Sequence, residues 1–519
     1  MHRTAVLLCT ALACTPAGDD TTGATTTAST TSPGPTTTTT ADPPTTTTQD
    51  PSTTINETSE TSETSETSAT TLEPGDTTDT APTDTTDTTG GSACADPSLW
   101  DEGLVPSTTV HVATTGADAP DCGAEATPCA TLGGALAVTT PGTEIVLHAG
   151  NYAPDQFLEI QGSEGAPIWI GGADGEPRPI IDGGGEALHL TRPRFIILHD
   201  LEISGASSNG INIDDGGDYA DPEAARFIGL RRVSIHDIGQ GGNEDCLKLS
   251  GLNDFFVVDS EFARCGGGGS GSGIDHVGCH RGTIARNSFS DISGNAVQCK
   301  GGSADLEIRH NRMVETGERA VNMGGSTGLE FFRPPLVQPG PNAEARDIRV
   351  IANEIVGGNA ALAFVGCVDC LAADNTIVRP HSWILRILQE TVDTDGYTFT
   401  PASGGVFRNN LVVFDRADLS TYLNIGGDTD PASFTFANNL WYAVDDPAQS
   451  DPAGDLPTPE SAGVVGQDPL LADLAGGDYS LTAGSPAIQS GLSPASAARD
   501  IAGTCYADPP SIGARELAP

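Results

Sequence analysis

The chain has 519 residues, of which 70 are acidic and 24 basic, so its formal net charge is -46 at pH 7. Such a charge repels nucleic acids and anionic lipid surfaces, which excludes both as general partners. A polyanionic partner could bind only at a local strip of basic side chains or through a bridging cation.

The first 14 residues have the pattern of an export signal. His2 and Arg3 form a small basic region, an apolar run follows from Ala5 to Leu12, and Ala11-Leu12-Ala13-Cys14 resembles a bacterial lipoprotein cleavage box. This resemblance implies lipidation of Cys14 and a place at the outer membrane or cell surface. Ala11 stands where such boxes usually have Leu, so plain secretion remains the alternative. Membrane contact is expected only through the lipid.

Residues 15–93 are mostly Thr, Ser, Pro and acidic residues, with short repeats such as Ser59-Glu60-Thr61. A segment with so little apolar surface cannot offset the entropy lost on folding. We therefore predict a disordered acidic stalk that holds the following domain away from the membrane.

Ten cysteines remain besides Cys9 and Cys14, an even number in an exported chain, which favours disulfides. Cys122 and Cys129 flank a short loop and are the first expected pair. For Cys367 and Cys370 we expect a local bridge or separate partners. The rest of the connectivity stays open.

The remainder of the chain is repetitive. Degenerate copies of an Asn-x-apolar signature begin at residues 233 and 260, and clear copies follow at Asn287, Asn311, Asn353, Asn375, Asn410 and Asn439. The first steps are 27, 27 and 24 residues long, the period of a solenoid. Each repeat holds short alternating strands, which predicts an all-β, single-stranded parallel β-helix with asparagines stacked along its axis. We assign residues 94–460 to this β-helix and 461–519 to its closing segment.

Two sets of segments resemble the pectate-lyase-like right-handed parallel β-helix superfamily. Residues 110–116 and 141–152 are similar to the entry segment of its exported members, and residues 468–470, 484–488 and 512–514 to the closing segment. The resemblance covers about residues 108 to 517. It implies the fold but no single activity, because the superfamily includes lyases, hydrolases, epimerases and adhesins.

Five coils can be aligned, starting at residues 209, 245, 272, 295 and 319. Alternate residues of a strand point to opposite faces, so the apolar positions are expected inside. The outward residues then form a first row of Asn212, Lys248, Asp275, Gln298 and Asn322. A second row holds Asp214, Ser250 and Lys300, with Arg319 at its edge.

Lys248 and Lys300 are the only lysines of the chain, and both fall on this outward surface. β-Elimination of a uronate polymer needs a charge that neutralises the sugar carboxylate and a base that removes the C5 proton. We predict Lys300 as the base, with Arg319 lowering its pKa, and Lys248 as the carboxylate partner. Substrate-binding roles are assigned to Asn212, Gln298, Asn322 and Arg333.

The resemblance implies calcium as a second means of neutralising the substrate carboxylate. Asp214, Asp215, Asp245 and Asp275 offer hard oxygen ligands on adjacent coils and are the candidate calcium set. Otherwise no cofactor is expected. Two structural alternatives remain: aspartates in solenoid turns commonly cap backbone groups, and Lys248 with Asp275 could form a surface ion pair.

Cysteines and histidines on consecutive coils offer another kind of chemistry. Cys246, Cys265, His276, Cys279, His280 and Cys299 could hold zinc or copper, although disulfides or core positions are the alternatives. The spacing matches no known zinc finger or zinc ribbon.

A long insertion separates Asn311 from Asn353. It contains Phe331 and Phe332, which could wall a groove and contact sugar rings or plug the side of the solenoid. The sequence therefore predicts an exported, monomeric β-helix acting as a lyase on an acidic polysaccharide. The alternative is a non-catalytic carbohydrate-binding or adhesion module with the same fold.

Overall fold

The computed structural model describes residues 94–517. The predictions for the signal, for lipidation of Cys14 and for the stalk lie outside the described residues. Within the described part, no helix has the length and apolar character needed to cross a membrane.

The described chain is almost entirely β-structure. Its strands, in chain order, are β1 (Thr108–Val112), β2 (Thr143–Leu147), β3 (Asn151–Tyr152), β4 (Gln156–Leu158), β5 (Ile168–Gly172), β6 (Ile180–Asp182), β7 (Leu188–Thr191), β8 (Arg194–His199), β9 (Glu202–Ser204), β10 (Ile211–Asp214), β11 (Ala225–Arg231), β12 (Ser234–Ile238), β13 (Leu247–Ser250), β14 (Leu252–Val258), β15 (Glu261–Cys265), β16 (Ile274–Val277), β17 (His280–Ala285), β18 (Ser288–Ile292), β19 (Asn295–Lys300), β20 (Ser303–Arg309), β21 (Arg312–Thr316), β22 (Arg319–Gly324), β23 (Ala345–Arg346), β24 (Arg349–Ile351), β25 (Glu354–Val356), β26 (Ala360–Val365), β27 (Cys367–Val368), β28 (Leu371–Ala373), β29 (Thr376–Val378), β30 (Trp383–Leu388), β31 (Val406–Arg408), β32 (Leu411–Phe414), β33 (Leu423–Ile425), β34 (Thr435–Ala437), β35 (Leu440–Ala443), β36 (Val464–Val465), β37 (Leu471–Asp473) and β38 (Asp478–Leu481). One short α-helix, α1 (Leu132–Leu136), and 3₁₀ turns at Leu329–Phe331, Pro431–Ser433 and Pro447–Gln449 complete the list.

The strands form three long sheets in which neighbours are parallel. The first sheet runs in the order β1-β2-β5-β8-β11-β14-β17-β20-β24-β28-β31-β34, with β23 and β27 beside it; the second runs β4-β7-β10-β13-β16-β19-β22-β26-β30-β33; the third runs β3-β6-β9-β12-β15-β18-β21-β25-β29-β32-β35-β36. From β2 to β33 each coil contributes one strand to each sheet before the chain advances to the next coil, with β23 and β27 as additional short strands. This confirms the predicted all-β, parallel β-helix fold.

The predicted repeat period is also confirmed. In the third sheet Ser234 pairs with Glu261, Glu261 with Ser288, and Ser288 with Arg312, which are steps of 27, 27 and 24 residues. The apolar residues between them point inward and form one core along the described coils. Hydrophobic burial of alternate residues therefore fixes which face of each strand is outside.

A ladder of buried asparagines stabilises the corner that leads into the third sheet. Side-chain Nδ2 atoms donate to the Oδ1 atom of the next asparagine at 2.9–3.1 Å, and the last one donates to Glu460; the members are Asn287, Asn311, Asn353, Asn375, Asn410 and Asn439. The residue before each member has a left-handed φ of 52–57°, which turns the chain sharply at this corner. The predicted axial stacking of asparagines is thus confirmed.

The disulfides close loops at several points. Cys122 is bonded to Cys129, as predicted, and Cys367 to Cys370. The other two bonds are Cys94–Cys505 and Cys246–Cys265. The second of these removes two ligands from the alternative zinc or copper cluster. Cys279 and Cys299 are buried thiols within the core.

We expect Asn353→Ala to destabilise the solenoid, because it removes the acceptor for the backbone N–H and side chain of Asn311. Leaving buried donors unsatisfied costs about 1–3 kcal/mol each. Chemical denaturation would show a clearly lower unfolding midpoint. Asn151→Ala, at an exposed strand position, is the matched control. Equal midpoints for the two variants would contradict a stabilising role for the ladder.

Candidate active site

The first predicted row lies on the outer face of the second sheet. Asn212 pairs with Lys248, Lys248 with Asp275, Asp275 with Gln298, and Gln298 with Asn322. The second row is likewise in register, because Asp214 pairs with Ser250, Ser250 with Val277, and Val277 with Lys300. The strand alignment predicted from the sequence is therefore confirmed from Asn212 to Lys300. Between β19 and β22 the register shifts after Gln298, so that Cys299, and not Lys300, lies beside Gly324.

The first row continues beyond the predicted residues. Asn212 pairs with His189 of β7, and His189 pairs with Phe157 of β4. Phe157 is 65% exposed, and its ring contacts the His189 imidazole edge-on at 4.7 Å. The sequence alignment missed both residues because these earlier coils lack the asparagine signature that marked the later ones.

A cavity of about 590 Å³ opens over these rows. Its lining comes from β4, β7, β10, β13, β16 and β19, the loop after β10, and the insertion after β22. The lining residues are Phe157, His189, Thr191, Asn209, Asn212, Asp214, Asp215, Gly216, Gly217, Tyr219, Asn243, Lys248, Ser250, Val277, Lys300, Ser326, Thr327, Gly328, Phe331 and Arg333. The chain's two lysines thus face one cavity.

The two lysines meet at Asp275, which is almost fully buried between them. Lys248 Nζ forms a short ion pair with Asp275 Oδ2 and lies 3.2 Å from Asp245 Oδ2. Lys300 Nζ lies 3.3 Å from the same Asp275 oxygen. Both ammonium groups therefore contact the same carboxylate oxygen. Their Nζ atoms are closer together than the backbones of their strands, which lie two coils or about 10 Å apart.

Burial and charge act against each other in this cluster. Burial alone would raise the pKa of Asp275, but the ammonium groups of Lys248 and Lys300 outweigh it and hold that pKa below its usual value. Burial raises the pKa of Asp245. Burial would lower the pKa of Lys248, yet Asp275 and Asp245 raise it above its usual value, so Lys248 remains a fixed positive charge.

The four aspartates of the candidate calcium set each have a basic partner within the chain. Asp245 and Asp275 bind Lys248, Asp214 binds His189, and Asp215 binds Arg333. Within residues 94–517, three or more possible metal ligands lie within 4.8 Å of one another only at Asp118, Cys122 and Cys129. Two of these residues, Cys122 and Cys129, form a disulfide. Because each of the four carboxylates already has a basic partner, the donor set does not match a calcium site.

Arg333 connects the insertion to the loop after β10. Its Nε donates to Asp215 Oδ2 at 2.6 Å and its Nη2 to Asp215 Oδ1 at 3.1 Å, while its guanidinium lies 4.1 Å from the centre of the Tyr219 ring. Because these donors are already used, Arg333 holds the cavity wall in place. Its predicted substrate contact would need this pair to open.

The two phenylalanines of the insertion have different roles. Phe332 is buried and packs against Phe399, with ring centres 5.7 Å apart. Phe331 is 44% exposed and lines the cavity. One ring therefore plugs the solenoid side and the other forms part of the wall.

Arg319 and Asn322 do not reach the cavity. Asn322 is fully buried, and its Oδ1 accepts a hydrogen bond from Arg319 Nη1 at 3.2 Å. Arg319 Nη2 lies 3.0 Å from Glu390, which neutralises its charge. The predicted catalytic role of Arg319 and substrate contact of Asn322 are therefore not supported by the geometry. Gln298 is half-buried beside them.

His189 is held between two carboxylates. Its Nε2 lies 2.7 Å from Asp214 and its Nδ1 3.0 Å from Glu186. These hydrogen bonds, first that with Asp214 and then that with Glu186, raise the pKa of His189 to about 9. The imidazole is therefore a cation at neutral pH.

We expect His189→Gln to lower stability in a pH-dependent way. Because the pKa of His189 rises from 6.5 to about 9 on folding, its contribution is complete below pH 6.5 and disappears as the pH passes about 9. For this half-buried group the loss at low pH should be about 1 kcal/mol. Thermal unfolding across this range is the measurement, with the exposed His381→Gln as control. If the stability difference between the parent protein and His189→Gln stayed the same above pH 9, the raised pKa of His189 would not be its cause.

Comparisons with known proteins give similarity in fold alone. No protein-family model matches the sequence, and no curated protein resembles it significantly. An alginate lyase from Paenibacillus is 15% identical, with 62% of this chain and 99% of that chain covered and a TM-score of 0.40. A pectate lyase is 15% identical, with 80% and 98% covered and a TM-score of 0.42.

A lacto-N-biosidase from Eubacterium ramulus is also 15% identical, with 69% of this chain and 67% of that chain covered and a TM-score of 0.37. The activities of these proteins differ, so the similarity does not identify the activity of this chain. The strand order and register place residues 94–517 in the fold class of the parallel β-helices.

Proposed function

We propose that the protein is a polysaccharide lyase that cleaves an acidic, uronate-containing glycan by β-elimination. One observation carries the proposal: the only two lysines of a strongly acidic chain converge on one buried carboxylate at the floor of a cavity. A buried cluster of this kind costs desolvation energy, which is more easily understood at a functional site than at an ordinary surface.

The two lysines differ in a way that separates their roles. Lys248 has two carboxylate partners and a raised pKa, so it stays protonated and can pair with the carboxylate of the sugar. Lys300 contacts one carboxylate, at 3.3 Å, and also faces the cavity. Lys300 is therefore the better candidate for the base.

The reaction would proceed through proton transfer and bond cleavage at one sugar. Lys300 would first have to release the proton with which it pairs with Asp275 in the resting site. Its neutral amine then takes the C5 proton, and the electron pair moves towards the sugar carboxylate, where Lys248 stabilises the added negative charge. The C4–O4 bond then breaks, and a C4–C5 double bond forms. The proton on Lys300 returns to the departing oxygen, which leaves the enzyme ready for another turnover.

The rest of the cavity supplies contacts typical of carbohydrate binding. Phe157 and Phe331 present exposed aromatic surface, and Asn209 and Asn212 present amide groups. Aromatic faces pack against the apolar faces of sugar rings, while amides bond hydroxyls. The predicted substrate-binding role of Asn212 stays part of this proposal, although its Nδ2 already donates to Glu186.

A non-catalytic carbohydrate-binding module is the second candidate. The observation that favours it is the pairing of both lysines with Asp275, which leaves little uncompensated positive charge in the resting cavity. Such a module would need the aromatic and amide surface but no base. The two candidates predict different effects of removing Lys300.

For a lyase, we expect Lys300→Ala to lower turnover by about 10²- to 10⁴-fold, the range typical of a lost general base. The assay follows the ultraviolet absorbance of the unsaturated uronyl product on pectate, alginate and glycosaminoglycans. Arg264→Ala, which removes an exposed cation from the third sheet, should leave turnover unchanged.

The same variants decide between the two candidates. Retained glycan binding with lost product formation in Lys300→Ala supports the lyase. Equal product formation by Lys300→Ala and the unmodified protein would exclude Lys300 as the base. Glycan binding without any product from the unmodified protein would favour the binding module.

A further inference from the structure

We propose that the cavity binds the end of a glycan chain, so that the protein acts from a chain terminus and not at internal bonds. This inference deepens the proposed function and rests on it. Its basis is an asymmetry along the solenoid axis: the outer face of the second sheet is open on one side of Lys300 and covered on the other.

The open side extends from Lys300 towards β4. On β16, the strand next to β19, Asp275 and Val277 are buried: Asp275 is paired with both lysines, and Val277 lines the cavity. Farther along this direction the outward residues of β13, β10 and β7 are partly exposed, and Phe157 of β4 is largely exposed. Five steps between coils separate β19 from β4, which corresponds to about 24 Å at roughly 4.8 Å per step. This length accommodates a short stretch of glycan laid along the first row.

The covered side begins at the next coil. All six residues of β22 and all six residues of β26 are buried, including the outward Asn322 and Ala363. Ala363 is too small to cover itself, so other side chains must lie above it. No residue of β22 or β26 lines the cavity, so among the strands of the second sheet its lining ends at Lys300 in this direction.

An ion pair crosses this covered surface. Arg319 belongs to β22, whereas Glu390 follows β30, and their side chains meet at 3.0 Å. Because β26 lies between β22 and β30 in the sheet, this pair reaches over the intervening strand. Arg319 is only 9% exposed and also donates to Asn322, so the arginine side of the bridge is held in place.

The insertion closes the cavity along its side in the same region. Glu344 accepts hydrogen bonds from the Gly301 and Thr327 backbone N–H groups at 2.8 and 2.9 Å, and it also binds the hydroxyl of Thr391. One buried carboxylate therefore joins the turn after Lys300 to both loops that follow β22 and β30. This arrangement makes the wall beside Lys300 rigid.

A polymer lying along the first row would meet this barrier immediately after Lys300. To continue, it would have to separate Arg319 from Glu390 and expose the buried surface of β26. A chain terminus needs no such rearrangement. The reacting sugar is therefore expected at or next to the end of the chain, with the rest of the glycan extending past His189 and Phe157.

The test counts protein molecules bound per glycan chain. Lys300→Ala protein is titrated calorimetrically with acidic glycans of the same composition and increasing defined length, which avoids cleavage during the measurement. End binding gives one protein per chain whatever the length. In parallel, the unmodified protein should release short products from the start while the viscosity of the polymer falls slowly.

Several proteins per long chain, together with early fragments of intermediate length, would overturn end recognition and leave the proposed lyase intact. Neither binding nor product with any acidic glycan would overturn the proposed function and this inference together. The two failures are therefore distinguishable.

The barrier itself is tested with Glu390→Ala. Removing the bridge should open the covered side, so intermediate fragments should appear and more than one protein should bind each long chain. Glu261→Ala, at an exposed position of the third sheet, is the matched control and should behave as the parent protein. An unchanged product pattern in Glu390→Ala would overturn the ion pair as the barrier.

Discussion

The parallel register between successive coils is the constraint on which the rest of the structure depends. Backbone hydrogen bonds between parallel strands place each residue beside its copy in the next coil, about 4.8 Å away. Residues 23 to 36 positions apart in the chain, such as Asn212, Lys248 and Asp275, become neighbours in this way. The buried asparagine ladder reinforces the register at one corner, since a shift by one residue would break its hydrogen bonds.

This constraint also explains why charge is concentrated on one surface. Most inward strand positions are apolar, so apart from the asparagine ladder and His276 the polar strand residues of these coils lie mainly outside, and stacking brings them into contact. Asp275 illustrates the result, because it is buried by its neighbours on the outer face and remains ionised through Lys248 and Lys300. This site needs precise stacking of the coils, since with only one of the two lysines the negative charge of the buried carboxylates would be less fully compensated.

The loops convert the outer face of the second sheet into a cavity that is open at one end of the row and closed at the other. Arg333 ties the insertion to Asp215, and Glu344 joins the loops that follow β22 and β30. Together with the pair formed by Arg319 and Glu390, these contacts limit how a long ligand can lie on the second sheet. The strands therefore position the candidate chemistry, whereas the loops restrict access to it.

The sequence by itself determined the coil period, the parallel β-helix, the pairing of Cys122 with Cys129 and the two rows that contain Lys248 and Lys300. These features follow from local alternation and from a repeating asparagine signature, both visible along the chain. The tertiary structure alone decided the ion-pair partners of Arg319 and Arg333, the presence of His189 and Phe157 in the cavity lining, and the side on which the cavity is closed. The carboxylate that a long arginine side chain contacts depends on how the coils stack and how the loops fold over them. Neither arrangement leaves a repeating pattern in the sequence.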